Sequence, residues 1–591
     1  MANLGGPLVL PRILIAGALA LLVAAPAAAA PRLLMPGVVY EKQVQFTSRG
    51  PVVIHVLTAP RPGGLHALKP VLSNGMIQGL QTVTSMQQDV SSIATVAGVN
   101  GDLFNWQDGH PTGGLIRDGV LEHRPSPDRS TIGIDSGGNL RVERLSLFGT
   151  WQGSGQRRPL LALNEPPGPN GISLYTPAWG PATPAVPGAY EVVISPLPPT
   201  VANIEVSGPV VQTAQNGGTQ IPAGGAILVA RGTQAAKLAA EAPVGQIAAV
   251  RLILKPDWSE VVDALGGGPI IVREGKPVFR ALEVFTPEQL LPRNPRTGVG
   301  QRADGRIILI AVDGRQPGYS VGMTNFELAQ TLARLGAVSG SALDAGGSTT
   351  MAFDGQLLNR PSDPAGERPV SEALSIFYFG AYAPPPLLAA MSPNRDGVDE
   401  RQELSYKLVR PSVVSVSLVG PDGAARHTES GPKDPGTYPL SFAGRTAAGA
   451  AEVQGRWRWS ITATDDLERV STVSRTFTLN NTLGFLRAER KLLAIPRERP
   501  RALAAVTLSS SATISAAVET PTGAPLATVL SGRQSPGRLT LVWDGRNRNG
   551  SFVYPGRYVL RVRATNSFGS IELTAPFGVR VLAKKPPKPK P

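Results

Sequence analysis

Two apolar runs that each end in an aspartate, joined by a capped helix, constrain this chain more than any other stretch. Ile307–Val312 leads into Asp313-Gly314, and Ser341–Leu343 leads into Asp344-Ala345-Gly346-Gly347. Between them Thr324 is placed to N-cap a helix and Glu327 stands three residues on, the pattern of a capping box. Phe326, Leu328, Leu332 and Leu335 give one apolar helical face, and Gly336 is placed to end it. The pattern predicts a strand–helix–strand unit. If the strands are parallel, Asp313 and Asp344 emerge at one edge of the sheet, beyond the strand C-termini, where α/β folds place ligands.

The chain has 591 residues, too many for one core, which points to three or four domains. Residues 1–30 read as a signal peptide: Arg12 as positive flank, Ile13–Val23 as apolar core, and Ala27–Ala30 as a small-residue cleavage zone. No later segment is long and apolar enough to span a membrane, so no stable span is expected once the signal is removed. Cysteine is absent, which excludes disulfides, thiolate metal sites and a cysteine nucleophile. The net charge of +14 comes without a basic helix or an aromatic-basic motif, so a nucleic-acid partner is not expected. Scattered arginine on an exported chain fits an anionic envelope glycan, or a solvated surface. The expected location is secreted, periplasmic or cell-surface.

Residues 31–94 read as a β-rich lead-in, with a strand over Val52–Leu57 and a short helix over Thr82–Ile93. The apolar run Ala94–Val99 then ends in Asn100-Gly101-Asp102, two acceptor side chains around a glycine that lets a ligand approach the backbone. A second glycine-rich loop, residues 109–119, can bring His110 near Asp102 as a general acid, or leave it solvated. From Ser130 to Val262 short alternating runs separated by Pro/Gly turns indicate antiparallel strands, with Pro159–Pro199 as a long insertion or surface loop. Gly266-Gly267-Gly268-Pro269 suggests close backbone contact or a phosphate-cradling turn. Arg296-Thr297-Gly298-Val299-Gly300 offers a guanidinium, a hydroxyl and backbone N–H groups to an oxyanion. Gly346, Gly347, Ser348 and Thr349 offer a similar set, followed by Asn359 and Arg368.

Taken in order, Asn100-Gly101-Asp102-Leu103-Phe104, Gly109-x-Pro111-x-Gly113, Gly266–Pro269, Arg296–Gly300, Asp313-Gly314-Arg315, Gly322-Met323-Thr324, Asp344–Thr349, Asn359 and Arg368-Pro369-Val370 form a set. This set resembles the phosphodiester glycosidase family, which includes the mannose-6-phosphate uncovering enzyme. The resemblance spans roughly residues 95–380 and implies hydrolysis of a sugar-1-phosphodiester. The chain departs from the family pattern in three places: Gly101-Asp102 replaces part of an Asn-x-Gly-Phe-Phe motif, Gly298 replaces an alanine, and Ala345 replaces a glycine.

The chemistry agrees with the resemblance. A phosphate monoester is already a good leaving group, so breaking its bond to C1 needs little acid help. It needs stabilisation of the phosphate charge and of an oxocarbenium-like sugar. Arginines and glycine turns suit the first task and carboxylates the second. The candidate catalytic residues are Asp344, Asp313 and Asp102, with nucleophile and base not assigned among them. The candidate phosphate and substrate ligands are Asn100, Arg296, Thr297, Arg315, Gly346, Gly347, Ser348, Thr349, Asn359 and Arg368. This chemistry requires no cofactor. A divalent cation is compatible with it, but no motif supports one, and no metal ligands are assigned. The expected function is an exported hydrolase acting on N-acetylglucosamine-like sugar-1-phosphodiesters, its partner a phosphosugar or anionic envelope glycan. The alternative is a non-catalytic envelope protein that binds glycan through an enzyme-like domain.

After residue 382 the pattern changes. Ser392-Pro393-Asn394-Arg395-Asp396-Gly397-Val398-Asp399 opens a new module, whose acidic loop is either a turn or a Ca²⁺ site lacking EF-hand spacing. Gly444, Gly449 and Gly455 recur as Gly545, Gly550 and Gly556, a constant offset of 545 − 444 = 101. Two β-sandwiches are expected, over residues 388–480 and 481–583, resembling the Ig-like module of the flagellar hook-capping protein. Trp543 is read as sandwich core, and residues 584–591 as a basic Pro-rich tail. The whole is expected to be an α+β catalytic domain with a mixed sheet over 95–382, followed by two all-β Ig-like sandwiches.

Overall fold

The computed structural model describes residues 30–279, 281–495 and 501–581. The signal-peptide reading, apart from residue 30, and the basic tail lie outside the described residues. Among the described residues strands account for 52% and helices for 7%, so the fold is mostly β.

The helical unit forms where the sequence places it. Asn325–Arg334 is an α-helix with both arms of the capping box present, Glu327 N donating to Thr324 Oγ1 at 3.1 Å and Thr324 N to Glu327 Oε2 at 2.8 Å. Gly336 follows it at φ +92°, a left-handed conformation that glycine adopts without strain. Thr82 likewise caps the short helix Val83–Asp89.

Within residues 95–382 a mixed sheet forms, but away from the helical unit: Ala162–Leu163 pairs parallel to Ile172–Tyr175 in a separate eight-stranded sheet that is otherwise antiparallel. The sheet that carries both aspartate-ending strands has eight strands, in the order Arg32–Met35, Val38–Thr47, Gly50–Ala59, Ile307–Val312, Arg296–Arg302, Ala337–Ala342, Ile270–Arg273, Lys276–Pro277. Every neighbouring pair in it is antiparallel. The reason is local. Only Ala303–Arg306 joins Arg296–Arg302 to Ile307–Val312, which suffices for a hairpin but not for a parallel crossover. The hairpin places Arg296–Arg302 between the two predicted strands, with Thr297 opposite Ala311 and Gly298 opposite Ala342. Ile307–Val312 and Ala337–Ala342 are each antiparallel to that central strand, so they run in the same direction without touching. Asp313, Asp344 and Arg296 therefore share one sheet edge.

Both faces of this sheet are covered, which explains the unbroken apolar run Ile307–Val312. Ile308, Ile310 and Val312 pack under Leu328, Ala329 and Leu332 of the helix. Ile307, Leu309 and Ala311 face Ala97, Val99, Leu374 and Ile376. Burial of each large side chain here contributes about 1.5–3 kcal/mol. The second face belongs to a five-stranded sheet of Gln356–Leu357, Met351–Phe353, Thr95–Asn100, Glu372–Tyr378 and His66–Leu72. The N-terminal lead-in is thus part of both sheets, supplying an edge of the first and a strand of the second.

Pro159–Pro199 is also packed, unlike a surface loop. Its strands Ile172–Tyr175 and Tyr190–Ile194 enter a second eight-stranded sheet, and Tyr175 and Trp179 lie in a core with Leu72 and Leu115. Proline density there reflects many turns between short buried strands.

The C-terminal third is all β and fits Ig-like sandwiches. Gly436–Phe442 and Gly455–Asp465 recur as Gly537–Trp543 and Gly556–Asn566, with 537 − 436 = 101 and 556 − 455 = 101. The turns between them repeat bond for bond. Glu452 N donates to Gly444 O, as Val553 N does to Gly545 O. Arg445 Nη1 donates to Gly449 O, as Arg546 Nη1 does to Gly550 O. Trp543 is buried in the second core. In the acidic loop Asp396 spends its oxygens on the backbone nitrogens of Val398 and Phe485, so the loop fastens the two sandwiches together. Among the described residues no cluster of three His, Cys, Asp or Glu is poised to hold a metal ion, and no helix is long and apolar enough to cross a membrane.

Candidate active site

At the shared sheet edge lies a cleft of about 190 Å³, lined by Asp102, Gly268, Phe285, Leu290, Asn294, Arg296, Arg315, Asp344 and Gly346 among others. Asp102 reaches it from the strand Thr95–Asn100. Asn100 stitches that strand end in place: its Oδ1 accepts from Thr297 Oγ1 at 2.8 Å and Thr350 N at 3.1 Å, and its Nδ2 donates to Asp344 O at 2.9 Å. Asp344 N donates to Gly101 O at 3.1 Å. The backbones that carry the two carboxylates are thereby locked to each other.

Asp102 is 1% exposed and is held by Arg129, Nη1 to Oδ1 at 2.8 Å and Nη2 to Oδ2 at 3.2 Å. Its carboxylate fills space that side chains would otherwise take. A Cβ on Gly266 would lie 2.1 Å from Asp102 Oδ2, and one on Gly113 2.5 Å from it. This explains the glycine at 266 better than a phosphate cradle does, because Gly267 N and Gly268 N already donate to Ser130 O and Ala342 O.

Asp344 follows the strand Ala337–Ala342 with only Leu343 between them. Burial pushes its carboxyl up to about 6; hydrogen bonds from Ser348 and Ala345 N oppose the rise, and the Asp102 charge adds to it. Arg315 borders the cleft from the other side, its guanidinium over Gly346. Its Nε donates to Asn294 Oδ1 at 3.0 Å, and among the described residues its terminal nitrogens have no hydrogen-bonded partner. The cleft therefore combines two carboxylates with an uncommitted guanidinium.

Residues 200–377 match the family model described as phosphodiester glycosidase. The chain carries a glycosidase-like domain of that family. A curated relative, the SPbeta prophage-derived uncharacterized protein YomE of Bacillus subtilis, is 35% identical over 108 residues, 18% of this chain and 16% of that protein. The match thus spans under a fifth of the relative's length. A hypothetical protein from Synechocystis is similar in structure at 28% identity and TM-score 0.49, covering 58% of this chain and 62% of that one. The catalytic domain of zebrafish N-acetylglucosamine-1-phosphodiester alpha-N-acetylglucosaminidase, auto-inhibited by its pro-peptide, aligns at 16% identity and TM-score 0.33, covering 59% of this chain and 85% of that one.

Within the phosphodiester glycosidase domain the other candidate residues sort by their surroundings. Asp313 does not line the cleft. It is 1% exposed and accepts from Tyr319 Oη at 3.0 Å, Asn359 Nδ2 at 3.1 Å and Arg360 N at 3.0 Å, and pairs with His55 Nε2 at 2.9 Å. It acts as a buried hub that ties the 359–360 segment to the sheet. Asn359, Thr297 and Thr349 are buried with it, and Thr297 joins Thr349 at 3.2 Å. Arg296 lines the cleft but its donors are occupied: Nε to Met323 O, Nη1 to Gln289 O, and Nη2 to Leu290 O and Pro292 O. Burial lowers its pKa to about 10, helped by the neighbouring Arg315 charge. Arg296 thus anchors the 289–292 strap that walls the cleft.

Arg368 sits on the far side of the glycine turn. It pairs with Asp363, Nε to Oδ2 at 2.8 Å, and reaches Ser348 Oγ at 3.5 Å. A Cβ on Gly347 would lie 1.9 Å from Arg368 Nη2, so only glycine leaves room for it. Gly346-Gly347 is flanked by Arg315 on one side and Arg368 on the other. His110 turns away, its Nδ1 at 2.6 Å from Asp108 Oδ1 and its ring beside His123.

Two residues of this site were not singled out from the sequence. Arg129 precedes a strand and looks there like any surface arginine. Glu372 lies in the buried strand Glu372–Tyr378, its Oε1 3.4 Å from Asp102 N and its Oε2 without a hydrogen-bond partner among the described residues. Burial, reinforced by the Asp102 charge, raises its carboxyl to about 8. The one signal available was a glutamate at the head of the mostly apolar run Ala373–Tyr378, where an unpaired charge is costly.

Proposed function

We propose that this chain hydrolyses the glycosidic bond of sugar-1-phosphodiesters in an exported, envelope or extracellular setting, with an N-acetylglucosamine-like sugar as the group released. The observation that carries this reading is the pairing, in one cleft, of Asp102 and Asp344 with the free guanidinium end of Arg315. In this reading the sugar ring lies against the carboxylates and the phosphate against the Gly346-Gly347 turn, between Arg315 and Arg368.

The C1–O bond breaks and its electron pair stays on the phosphate oxygen. Arg315 and Arg368 take up the charge that develops there. Asp102, with Arg129 balancing it, faces the cationic sugar. Asp344, held near 6, is suited to exchange a proton with water in the neutral range. Water supplies the oxygen that ends on C1, one of its protons staying on the sugar hydroxyl and the other passing through Asp344 to solvent or phosphate. The Ig-like region would serve as a spacer that displays this domain.

The test is incubation of the purified protein with an N-acetylglucosamine-1-phosphodiester and quantitation of free sugar and phosphomonoester. Wild type is expected to release both in equal amounts, and Asp344→Asn to lose at least about 100-fold in rate, within the range that acid–base catalysis contributes. Undiminished turnover by folded Asp344→Asn overturns the assignment. Binding without turnover by wild type favours a glycan-binding role instead.

A further inference from the structure

One large aromatic side chain beside the cleft is left in water. Trp106 is 69% exposed, although tryptophan carries the largest apolar surface of any residue. It is nonetheless held in place. Its ring rests on Phe104, centroids 5.0 Å apart, and Phe104 is buried in the core beneath. The loop around it is closed by Asn105 N to His110 O at 2.9 Å, Gly109 N to Asn105 O at 2.9 Å and Thr112 N to Leu103 O at 3.0 Å. Arg368 stacks its guanidinium over the indole at 5.3 Å, and that guanidinium is itself fixed by Asp363. The indole is thus a pre-ordered, solvent-facing plate, in which little conformational freedom remains to be lost on binding.

The plate is linked to the cleft edge through the glycine turn: Gly346 lines the cleft, Arg368 packs against Gly347, and Arg368 stacks on the Trp106 ring. From Asp344 a hydrogen bond leads to Ser348, from Ser348 the contact passes to Arg368 at 3.5 Å, and from Arg368 to the Trp106 ring. Along this chain of contacts the chemistry changes in order: carboxylate, guanidinium, aromatic face. A sugar suits the first, a phosphate the second, and the apolar C–H face of a second pyranose ring the third.

We propose that Trp106, with Arg368 behind it, forms a stacking subsite for a pyranose ring on the leaving side of the phosphodiester, so that the site selects glycosyl over alkyl leaving groups. This rests on the sugar-phosphodiester reading of the cleft. Trp106 is then a specificity residue, and the bond broken is still that between C1 and the phosphate oxygen.

The experiment compares the full chain and Trp106→Ala on two substrates that share N-acetylglucosamine-1-phosphate, one esterified to methanol and one to the 6-hydroxyl of a hexose. Wild type is expected to show a KM roughly tenfold lower for the hexose diester, as a single aromatic stacking contact allows. Trp106→Ala should erase that preference, leave the methyl ester unchanged, and retain the wild-type circular dichroism. Trp106→Phe should restore part of the preference. A Trp106→Ala that keeps the preference, or lowers both substrates equally, overturns the proposal. Calorimetric titration with glucose 6-phosphate separates the two readings. If wild type cleaves neither diester but binds this probe more tightly than Trp106→Ala does, the hydrolytic reading fails and the subsite stands. Equal binding by both proteins overturns the subsite.

Discussion

Arg129 grips Asp102 with both terminal nitrogens, inside the protein and 27 residues away in sequence. The pair places a carboxylate at the floor of the cleft without leaving its charge unbalanced. Arg129 also donates to Thr112 Oγ1 at 2.7 Å and Gly267 O at 3.3 Å, so one side chain joins three of the loops that meet there.

Replacing Arg129 by Met should therefore be costly. It strands a carboxylate that is 1% exposed, and breaking a buried pair from one side typically costs about 3–5 kcal/mol. Urea unfolding is expected to show that loss, and Arg129→Lys should recover only part of it, because a single ammonium cannot make the bidentate contact. An unchanged midpoint for Arg129→Met would mean that Asp102 is solvated.

Arg315 and Arg296 should separate function from stability. Arg315→Gln removes a guanidinium whose one hydrogen-bonded partner among the described residues is Asn294, so stability should move by no more than about 0.5 kcal/mol. KM for a phosphodiester should rise at least about tenfold, the equivalent of one charge-assisted hydrogen bond. Arg296→Gln should do the reverse first. It takes the guanidinium away from four carbonyls, of which, among the described residues, Met323 O alone keeps another donor, Asn294 N, and is expected to cost about 1–3 kcal/mol. Parallel melting curves and Michaelis–Menten fits of both variants check the contrast.

Glycine 266 is a steric test of the Asp102 pocket. Gly266→Ala introduces a Cβ 2.1 Å from Asp102 Oδ2, and overpacking of this kind costs about 1–3 kcal/mol. The carboxylate must shift, so turnover should fall while the circular dichroism spectrum stays that of the wild type. Gly266→Ala with full activity would show that Asp102 does not need its observed position.

Stability should depend on pH through Glu372. Its carboxyl is raised from 4.5 to about 8, so the folded state binds the proton more tightly than the unfolded chain. That contribution is complete below the unfolded value and is lost as pH rises through about 8. Melting temperature is therefore expected to decline between pH 5 and 8 on this account, and Glu372→Gln, which is neutral throughout, should flatten the decline. Asp344, raised from 3.8 to about 6, adds to the decline below that pH by the same linkage and should also appear in kcat/KM, which is expected to rise through that pH if the ionised form is the active base.

The sequence made some elements plain because their causes are local. A capping box, an apolar helical stripe and a glycine at φ +92° act within a few residues of each other, so the helix Asn325–Arg334 could be bounded closely. The 101-residue repeat was visible because each sandwich reuses the same glycine turn with the same arginine bond. Three aspartates could be picked out at strand ends, but not told apart. Asp313 and Asp344 follow equivalent strands in the same direction. Yet His55, Tyr319, Asn359 and Arg360 close around Asp313, while Asp344 opens on the cleft.

By itself, then, the sequence determined the local units and the inventory of carboxylates, arginines and glycine turns. Tertiary structure alone decided which of them meet. It set the strand Arg296–Arg302 between the other two so that those two run in one direction, spent Arg296 on strap carbonyls, left the terminal nitrogens of Arg315 without a hydrogen-bonded partner among the described residues, and brought Arg129 and Glu372 to Asp102 from 27 and 270 residues away. The physical reason is that hydrogen-bond partners and burial depend on distance in space. A side chain's type shows what it can donate or accept, and its neighbours determine whether that capacity is still available to a ligand.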